Sequence, residues 1–131
     1  MEELFYESRS KHNFNETLNL ITDIAIENGW KVIQVLDLQE IMKKNGKDIL
    51  SVKVMEVCKP EYAYEVLKND DMRIYSNMLP CRISVFENTD GITYISRMNI
   101  KMLSDQLGGI MQNVMNKAFS EVEEVITKVT D

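Results

Sequence analysis

Residues 81–98, CRISVFENTDGITYISRM, contain the strongest structural signal in the chain. Two segments rich in β-branched and aromatic residues, 81–87 and 92–98, flank the polar sequence Asn-Thr-Asp-Gly at 88–91. Asp-Gly in a short polar loop between two such segments favours a hairpin, because these residues accept the backbone conformations of a tight turn. The sequence therefore predicts two neighbouring antiparallel strands.

The register of this hairpin determines which side chains meet across it. If Glu87 pairs with Ile92, Cys81 lies opposite Met98. A bulge at Gly91 would shift this pairing by one residue. The first register is expected, and it brings a thiol and a thioether together.

Apolar periodicity predicts the other elements on either side of the hairpin. Strands are predicted at 4–8, 30–36 and 49–58, and helices at 14–29, 37–44, 60–68 and 107–129. Asn13 and Glu16 have the spacing of a capping box at the start of the first helix. Gly108 and Gly109 interrupt the start of the last helix, so a kink or a close backbone neighbour is expected there. The order β-α-β-(α)-β-α-β-β-α indicates an α+β fold, a mostly antiparallel sheet covered on one face by helices.

Composition limits the number of domains and the kind of partner. The chain has 131 residues, 44% of them hydrophobic, and no Pro-, Gly- or Ser-rich linker, so a single domain over 1–131 is expected. A formal charge of −6 and scattered basic residues argue against nucleic acid and anionic membranes, which attract clustered Lys and Arg. No secretory leader is visible, and no apolar run approaches the roughly twenty residues that span a bilayer. We therefore expect a cytoplasmic protein whose two cysteines are free thiols.

The strand at 49–58 carries polar groups near its end. Apolar residues occupy the even positions from Leu50 to Val54, so these positions are predicted to face the core. Continuing the alternation puts Glu56 and Cys58 on the same inner face. The inner face is thus expected to end in a carboxylate and a thiol.

Short segments along most of the chain together carry a family resemblance. They are Gly29-Trp30, Glu56-Val57-Cys58-Lys59-Pro60, Leu79-Pro80-Cys81-Arg82, Phe86-Glu87, Met98-Asn99, Gly108-Gly109 and Met115. The chain in this respect resembles the domain of unknown function 302 family of bacteria and archaea, which usually has Asn where this chain has Lys59. The resemblance implies an α+β fold similar to the TATA-binding-protein-like architecture, often assembled as a homodimer, with no established activity.

The sulfur atoms of Cys58, Cys81 and Met98 form the most specific candidate site. Thiolates and thioethers are soft ligands that suit Cu(I), and two thiols alone suit a thiol-reactive small molecule or a redox pair. Pro60 places Cys58 just before a helix N-terminus, where the helix dipole is expected to lower the thiol pKa. The alternative is that both cysteines are ordinary core residues, since Cys is among the most buried residue types.

Glu56 and Glu87 are candidate ligand-binding or catalytic carboxylates. Both are expected on sheet faces that are otherwise apolar, where burial raises a carboxyl pKa and allows acid–base chemistry or metal binding. Each also lies at a strand end, where it can meet solvent or pair with Arg82 or Arg97. An enzyme that combines one of them with a cysteine is therefore a further hypothesis.

Methionines in the C-terminal third point to another class of function. They lie at 98, 102, 111 and 115, in two pairs with i, i+4 spacing. Such a stripe is typical of core or dimer packing. The alternative to a soft-ligand site is thus an interaction module that dimerises through its C-terminal helix, with the cysteines in its core.

Overall fold

Strands and helices form an α+β arrangement, which a computed structural model describes for residues 3–130. The strands are β1 (Phe5–Arg9), β2 (Lys31–Asp37), β3 (Val52–Cys58), β4 (Cys81–Glu87) and β5 (Thr93–Met98). The helices are α1 (Phe14–Glu27), α2 (Leu38–Lys44), α3 (Pro60–Leu67), α4 (Ile100–Leu107) and α5 (Gly109–Thr127), with a 3₁₀ helix at Arg73–Met78. The strands pair in the order β1-β5-β4-β3-β2, and every pairing is antiparallel. The predicted α+β fold is confirmed.

The main core lies between one face of the sheet and helices α1 and α5. Its most deeply buried large side chains, each at most 1% exposed, are Ile21, Met55, Val57, Ile83, Val85, Ile95, Ile126 and Val129. Each such side chain contributes about 1.5–3 kcal/mol when it is fully removed from water. Asn13 is the N-cap of α1, as its spacing to Glu16 predicts: the backbone N–H of Glu16 donates to Asn13 Oδ1 at 2.9 Å, and Asn13 Nδ2 donates to the Glu16 carboxylate at 3.0 Å.

The predicted hairpin is present, but its expected register is wrong by one residue. Glu87 pairs with Thr93, and Val85 with Ile95, because Ile92 belongs to the loop. The Ile92 N–H donates to the Asp90 side chain at 2.8 Å instead of joining the ladder. Gly91 allows this loop through its positive φ of 78°.

The shift moves Met98 to the other side of the sheet. Arg97 pairs with Ile83 and shares its core face, so the next residue, Met98, points to the opposite face. Met98 is 42% exposed there and pairs with Phe5 of β1. It does not lie opposite Cys81.

The inner face of β3 is also the reverse of the expected one. Met55 pairs with Ile83 and Val57 with Cys81, so the odd-numbered residues face the core. The even-numbered Glu56 and Cys58 therefore lie on the opposite face of the ladder, and the expectation that they share the inner face is wrong. Apolar residues occupy both faces of this interior strand, and Val54 is itself buried, so alternation alone does not identify the inner side.

The C-terminal segment forms two helices, and the break between them lies at Gly108. This residue has φ 66° and ψ −171°, and ends α4 while preceding α5. A Cβ added there would meet nothing within 4 Å. The glycine is therefore required by the backbone conformation and not by a close neighbour.

The two methionines of α5 are buried in a second apolar cluster. Met111 and Met115, 2% and 1% exposed, pack there with Val66 and Val114. They do not form an exposed stripe, so the predicted homodimer would have to use other side chains. No helix in the described part of the chain is long and apolar enough to cross a membrane.

Candidate functional site

A small cavity lies where β3 ends and β4 begins, bounded by α3 and α5. Its volume is about 10 Å³, which is close to the space that one water molecule needs. Three of the residues that line it carry sulfur, namely Cys58, Cys81 and Met115. We call this cavity the sulfur pocket.

The three sulfur-containing residues that line the pocket belong to different elements. Cys81 is the first residue of β4, and it faces the core because its partner across the ladder is Val57. Cys58 is the last residue of β3, where the chain leaves the sheet for α3. Met115 enters from α5. Both cysteines are free thiols, and the Leu79–Pro80 peptide bond that leads into Cys81 is cis.

Burial controls the protonation of both thiols. It raises the pKa of Cys58, and the nearby carboxylate of Glu61 raises it further. Burial and the neighbouring Cys58 raise the pKa of Cys81 to about 12. The expectation that the start of α3 lowers the Cys58 pKa is therefore wrong, because desolvation and Glu61 outweigh the helix dipole. Both side chains are neutral thiols near pH 7.

A polar cluster closes one side of the sulfur pocket. The Glu121 carboxylate on α5 accepts hydrogen bonds from Lys59 Nζ at 2.5 Å, from the Tyr62 hydroxyl and from Trp30 Nε1 at 3.3 Å. The Trp30 and Tyr62 rings meet edge to face with centroids 6.4 Å apart. We call Trp30, Lys59, Tyr62 and Glu121 the Glu121 cluster, and three of its members also line the sulfur pocket.

The hydrogen bonds of this cluster set the charge of its acidic groups. Burial alone would raise the pKa of Glu121, but the bonds from Lys59 and Tyr62 outweigh it and the net shift is downward. The bond to Glu121, helped by burial, raises the pKa of Tyr62 to about 12. Near neutral pH Glu121 is therefore a carboxylate and Tyr62 a neutral phenol.

Comparison with known proteins identifies the family. The family model described as domain of unknown function DUF302 matches residues 6–130. The chain belongs to the DUF302 family. A crystal structure of an uncharacterized conserved DUF302 protein from Bacillus stearothermophilus is similar over 98% of this chain and 99% of that chain, with a TM-score of 0.86 at 19% identity. That similarity establishes the fold alone, and no curated protein matches the chain significantly.

Not all predicted site residues of this DUF302 chain reach the sulfur pocket. Glu56 lies on the other face of the sheet, where it accepts a hydrogen bond from the Gln34 side chain. Glu87 shares the core-side face of β4 but ends the strand that Cys81 begins, roughly 20 Å away at about 3.3 Å per residue. Neither glutamate lines the pocket. Met98 points to the opposite face of the sheet, and Met115 of α5 is the methionine that lines the pocket.

No pattern of residues along this DUF302 chain indicates the Glu121 cluster. The partners of Glu121 lie 59, 62 and 91 positions away in the chain. Glu121 also belongs to a helix with other glutamates at 123 and 124, and no spacing distinguishes it from them. Only the packing of α5 against the loop between β3 and α3 reveals its partners.

The donor set of the sulfur pocket is chemically soft. Within residues 3–130, no group of three or more His, Cys, Asp or Glu side chains is placed to hold a metal ion. The sulfur pocket instead offers two thiols and a thioether. Such donors favour Cu(I) over the hard cations that prefer oxygen ligands.

Proposed function

We propose that this DUF302 domain binds a single soft metal ion, Cu(I), in the sulfur pocket. The observation that supports the proposal is that Cys58, Cys81 and Met115 line one cavity from three different elements. Thiolate and thioether sulfur are the protein ligands that select Cu(I). The proposal keeps both cysteines of the sequence-based hypothesis and replaces Met98 by Met115.

The size of the cavity favours an ion over a thiol-reactive organic ligand. A volume of about 10 Å³ accommodates one atom or one water molecule. Pockets that bury small organic molecules are typically about 300–1,000 Å³. The space available therefore favours a single ion over an organic molecule.

The charges around the pocket are compatible with a bound cuprous ion. Since both thiols are protonated in the metal-free protein, Cu(I) has to displace their protons when it binds. Two thiolates and one Cu(I) leave one net negative charge in a buried site. Lys59, the basic residue in the lining of the pocket, offsets part of that charge, since its ammonium group is shared with the Glu121 carboxylate.

The primary test is a titration of the reduced protein with Cu(I) in competition with a chromogenic chelator. The wild-type chain should take up one tightly bound ion. The double variant Cys58→Ser, Cys81→Ser should lose that site, because a hydroxyl is a hard and weakly acidic ligand. Unchanged affinity in the double variant would contradict the proposal.

A matched pair of methionine variants tests the third ligand. Met115→Leu removes the thioether that lines the pocket, whereas Met98→Leu removes one on the opposite face of the sheet. We expect Met115→Leu to weaken Cu(I) binding by about tenfold, equivalent to about 1.4 kcal/mol. Met98→Leu should bind like the wild type in the same titration. Equal effects of the two substitutions would show that Met115 is not a ligand.

A further inference from the structure

We infer that Glu121 is a positioning residue of the sulfur pocket, which closes the pocket and fixes Cys58 by holding Lys59 and Tyr62 in place. The inference deepens the proposed function and rests on it for the identity of the metal. Its first test uses the metal-free protein, so the positioning role of Glu121 can be disproved independently of Cu(I) binding.

The first observation is that Glu121 connects three separate parts of the chain. Its Oε1 accepts from Lys59 and Trp30, and its Oε2 accepts from Tyr62. Lys59 directly follows Cys58, and Tyr62 lies in the first turn of α3. The junction between β3, which ends at Cys58, and α3 is therefore tied to α5, the helix that carries Met115.

The second observation is the position of these side chains between cavities. Lys59 and Tyr62 line the sulfur pocket. Lys59 and Glu121 also line an outer cavity of about 300 Å³, while Tyr62 and Glu121 line another of about 370 Å³. The three side chains thus lie between the sulfur pocket and the two larger cavities. Separation of Glu121 from its partners would expose the partly buried Cys58 further.

The chemistry of the cluster requires a carboxylate at this position. A carboxylate presents only acceptors, so it can satisfy three donors at once. Glutamine keeps one acceptor oxygen and places an amide NH₂ group against at least one of the same donors. Glu121→Gln is therefore nearly isosteric and removes the arrangement that holds Lys59 and Tyr62.

Glu123 provides a matched control on the same helix. Its side chain is 26% exposed, as is that of Glu121. It accepts two hydrogen bonds of 2.7 Å from Arg97 of β5, away from the sulfur pocket. Glu123→Gln hence removes a comparable ion pair of α5 and leaves the Glu121 cluster intact.

The test on the metal-free protein is alkylation of Cys58, followed by mass spectrometry. We expect Glu121→Gln to accelerate the reaction of Cys58 by about tenfold, through local opening of the junction between β3 and α3. Glu123→Gln should react at the wild-type rate. The fluorescence of Trp30, the one tryptophan of the chain, should change in Glu121→Gln and not in the control. An unchanged rate in Glu121→Gln, or an equal increase in the control, would overturn the inference.

A second variant distinguishes loss of the Lys59–Glu121 pair from a general folding defect. Lys59→Met deletes the ammonium group but keeps Glu121 and most of the aliphatic side chain. It should also accelerate alkylation of Cys58, and circular dichroism checks that each variant is folded. A folded Lys59→Met protein with the wild-type alkylation rate would contradict the role of the Lys59–Glu121 pair.

Cu(I) titration then links the cluster to the metal. We expect Glu121→Gln to lower the affinity by about 10–100-fold, which is usual when a residue that supports metal ligands is lost. If alkylation changes as expected but the wild type takes up no Cu(I), the proposed function fails while the positioning of Cys58 by Glu121 stands. If the wild type and Glu121→Gln bind Cu(I) equally, the positioning role fails while the proposed function stands.

Discussion

Burial governs the chemistry of the two thiols in the sulfur pocket. The Cys81 side chain faces the core, and loss of hydration penalises its thiolate more than any nearby charge does. Cys58 is less enclosed, but Glu61 adds a like-charge effect to its desolvation. Because the thiolate is the nucleophilic form, neither cysteine is activated for nucleophilic attack. A metal ion, which can displace a proton from each sulfur, suits such thiols better than a thiolate-dependent reaction does.

The raised pKa of Cys81 predicts a specific alkylation profile. With a pKa of about 12 against an ordinary 9.0, its thiolate fraction at pH 8 is lower by about a thousandfold, so alkylation should be slower by at least that factor. The rate should rise about tenfold per pH unit between pH 7 and 9, since this window lies below the native pKa. Iodoacetamide labelling followed by mass spectrometry measures the alkylation rate of Cys81 at each pH. The chain unfolded in guanidinium is the control. A rate for native Cys81 that levels off near pH 9 would show an ordinary thiol.

The predictability of the site differs from residue to residue. Cys58 and Cys81 were identified from their positions at strand ends, and both line the sulfur pocket. The direction of the Cys58 pKa shift was not predictable, because desolvation depends on what packs over the strand end. Glu121 was not predictable either, since its role depends entirely on partners that are distant in sequence.

At the scale of elements, strands and helices were easier to predict than their register. The hairpin at 81–98 forms as expected, yet the inclusion of Ile92 in its loop shifts the pairing by one residue. Because side chains alternate along a strand, that single residue moves Met98 from the face of Cys81 to the opposite one. Side chains also alternate along β3. Because its odd-numbered residues face the core, Glu56 lies on the face opposite to the predicted one. Local turn geometry, which the residue pattern does not determine, therefore decides which sulfur atoms can meet.

The break between α4 and α5 leads to a prediction about stability. Gly108 adopts φ 66° and ψ −171°, a conformation that is essentially restricted to glycine. Gly108→Ala should lower the free energy of unfolding by about 1–3 kcal/mol through backbone strain, since no atom lies close enough to clash with a Cβ. Urea denaturation measures the change. Gln106→Ala, on the exposed end of α4, is the control and should stay within about 0.5 kcal/mol of the wild type. A Gly108→Ala protein as stable as this control would contradict the argument.

At the scale of the whole molecule, the order of elements was sufficient to predict the two-layer architecture. Antiparallel strands with apolar helices between them have to bury the helices against the sheet, as α1 and α5 do here. The sulfur pocket depends on a finer feature, the place where the end of β3, the start of β4 and the middle of α5 converge. It also lies between the two apolar clusters, because Cys81 belongs to the first and Met115 to the second.

This placement predicts that Cu(I) stabilises the whole fold. An ion bound to Cys58, Cys81 and Met115 would connect the sheet to α5, and an unfolded chain cannot hold the three sulfur atoms in that geometry. At a free Cu(I) concentration about a thousand times the dissociation constant, the free energy of unfolding should rise by about 4 kcal/mol. Anaerobic urea denaturation in a chelator-buffered Cu(I) solution measures the increase. The Cys58→Ser, Cys81→Ser protein should show none under the same conditions. If that variant gained as much stability as the wild type, the ion would be binding elsewhere on the native chain, and the sulfur pocket would have no part in it.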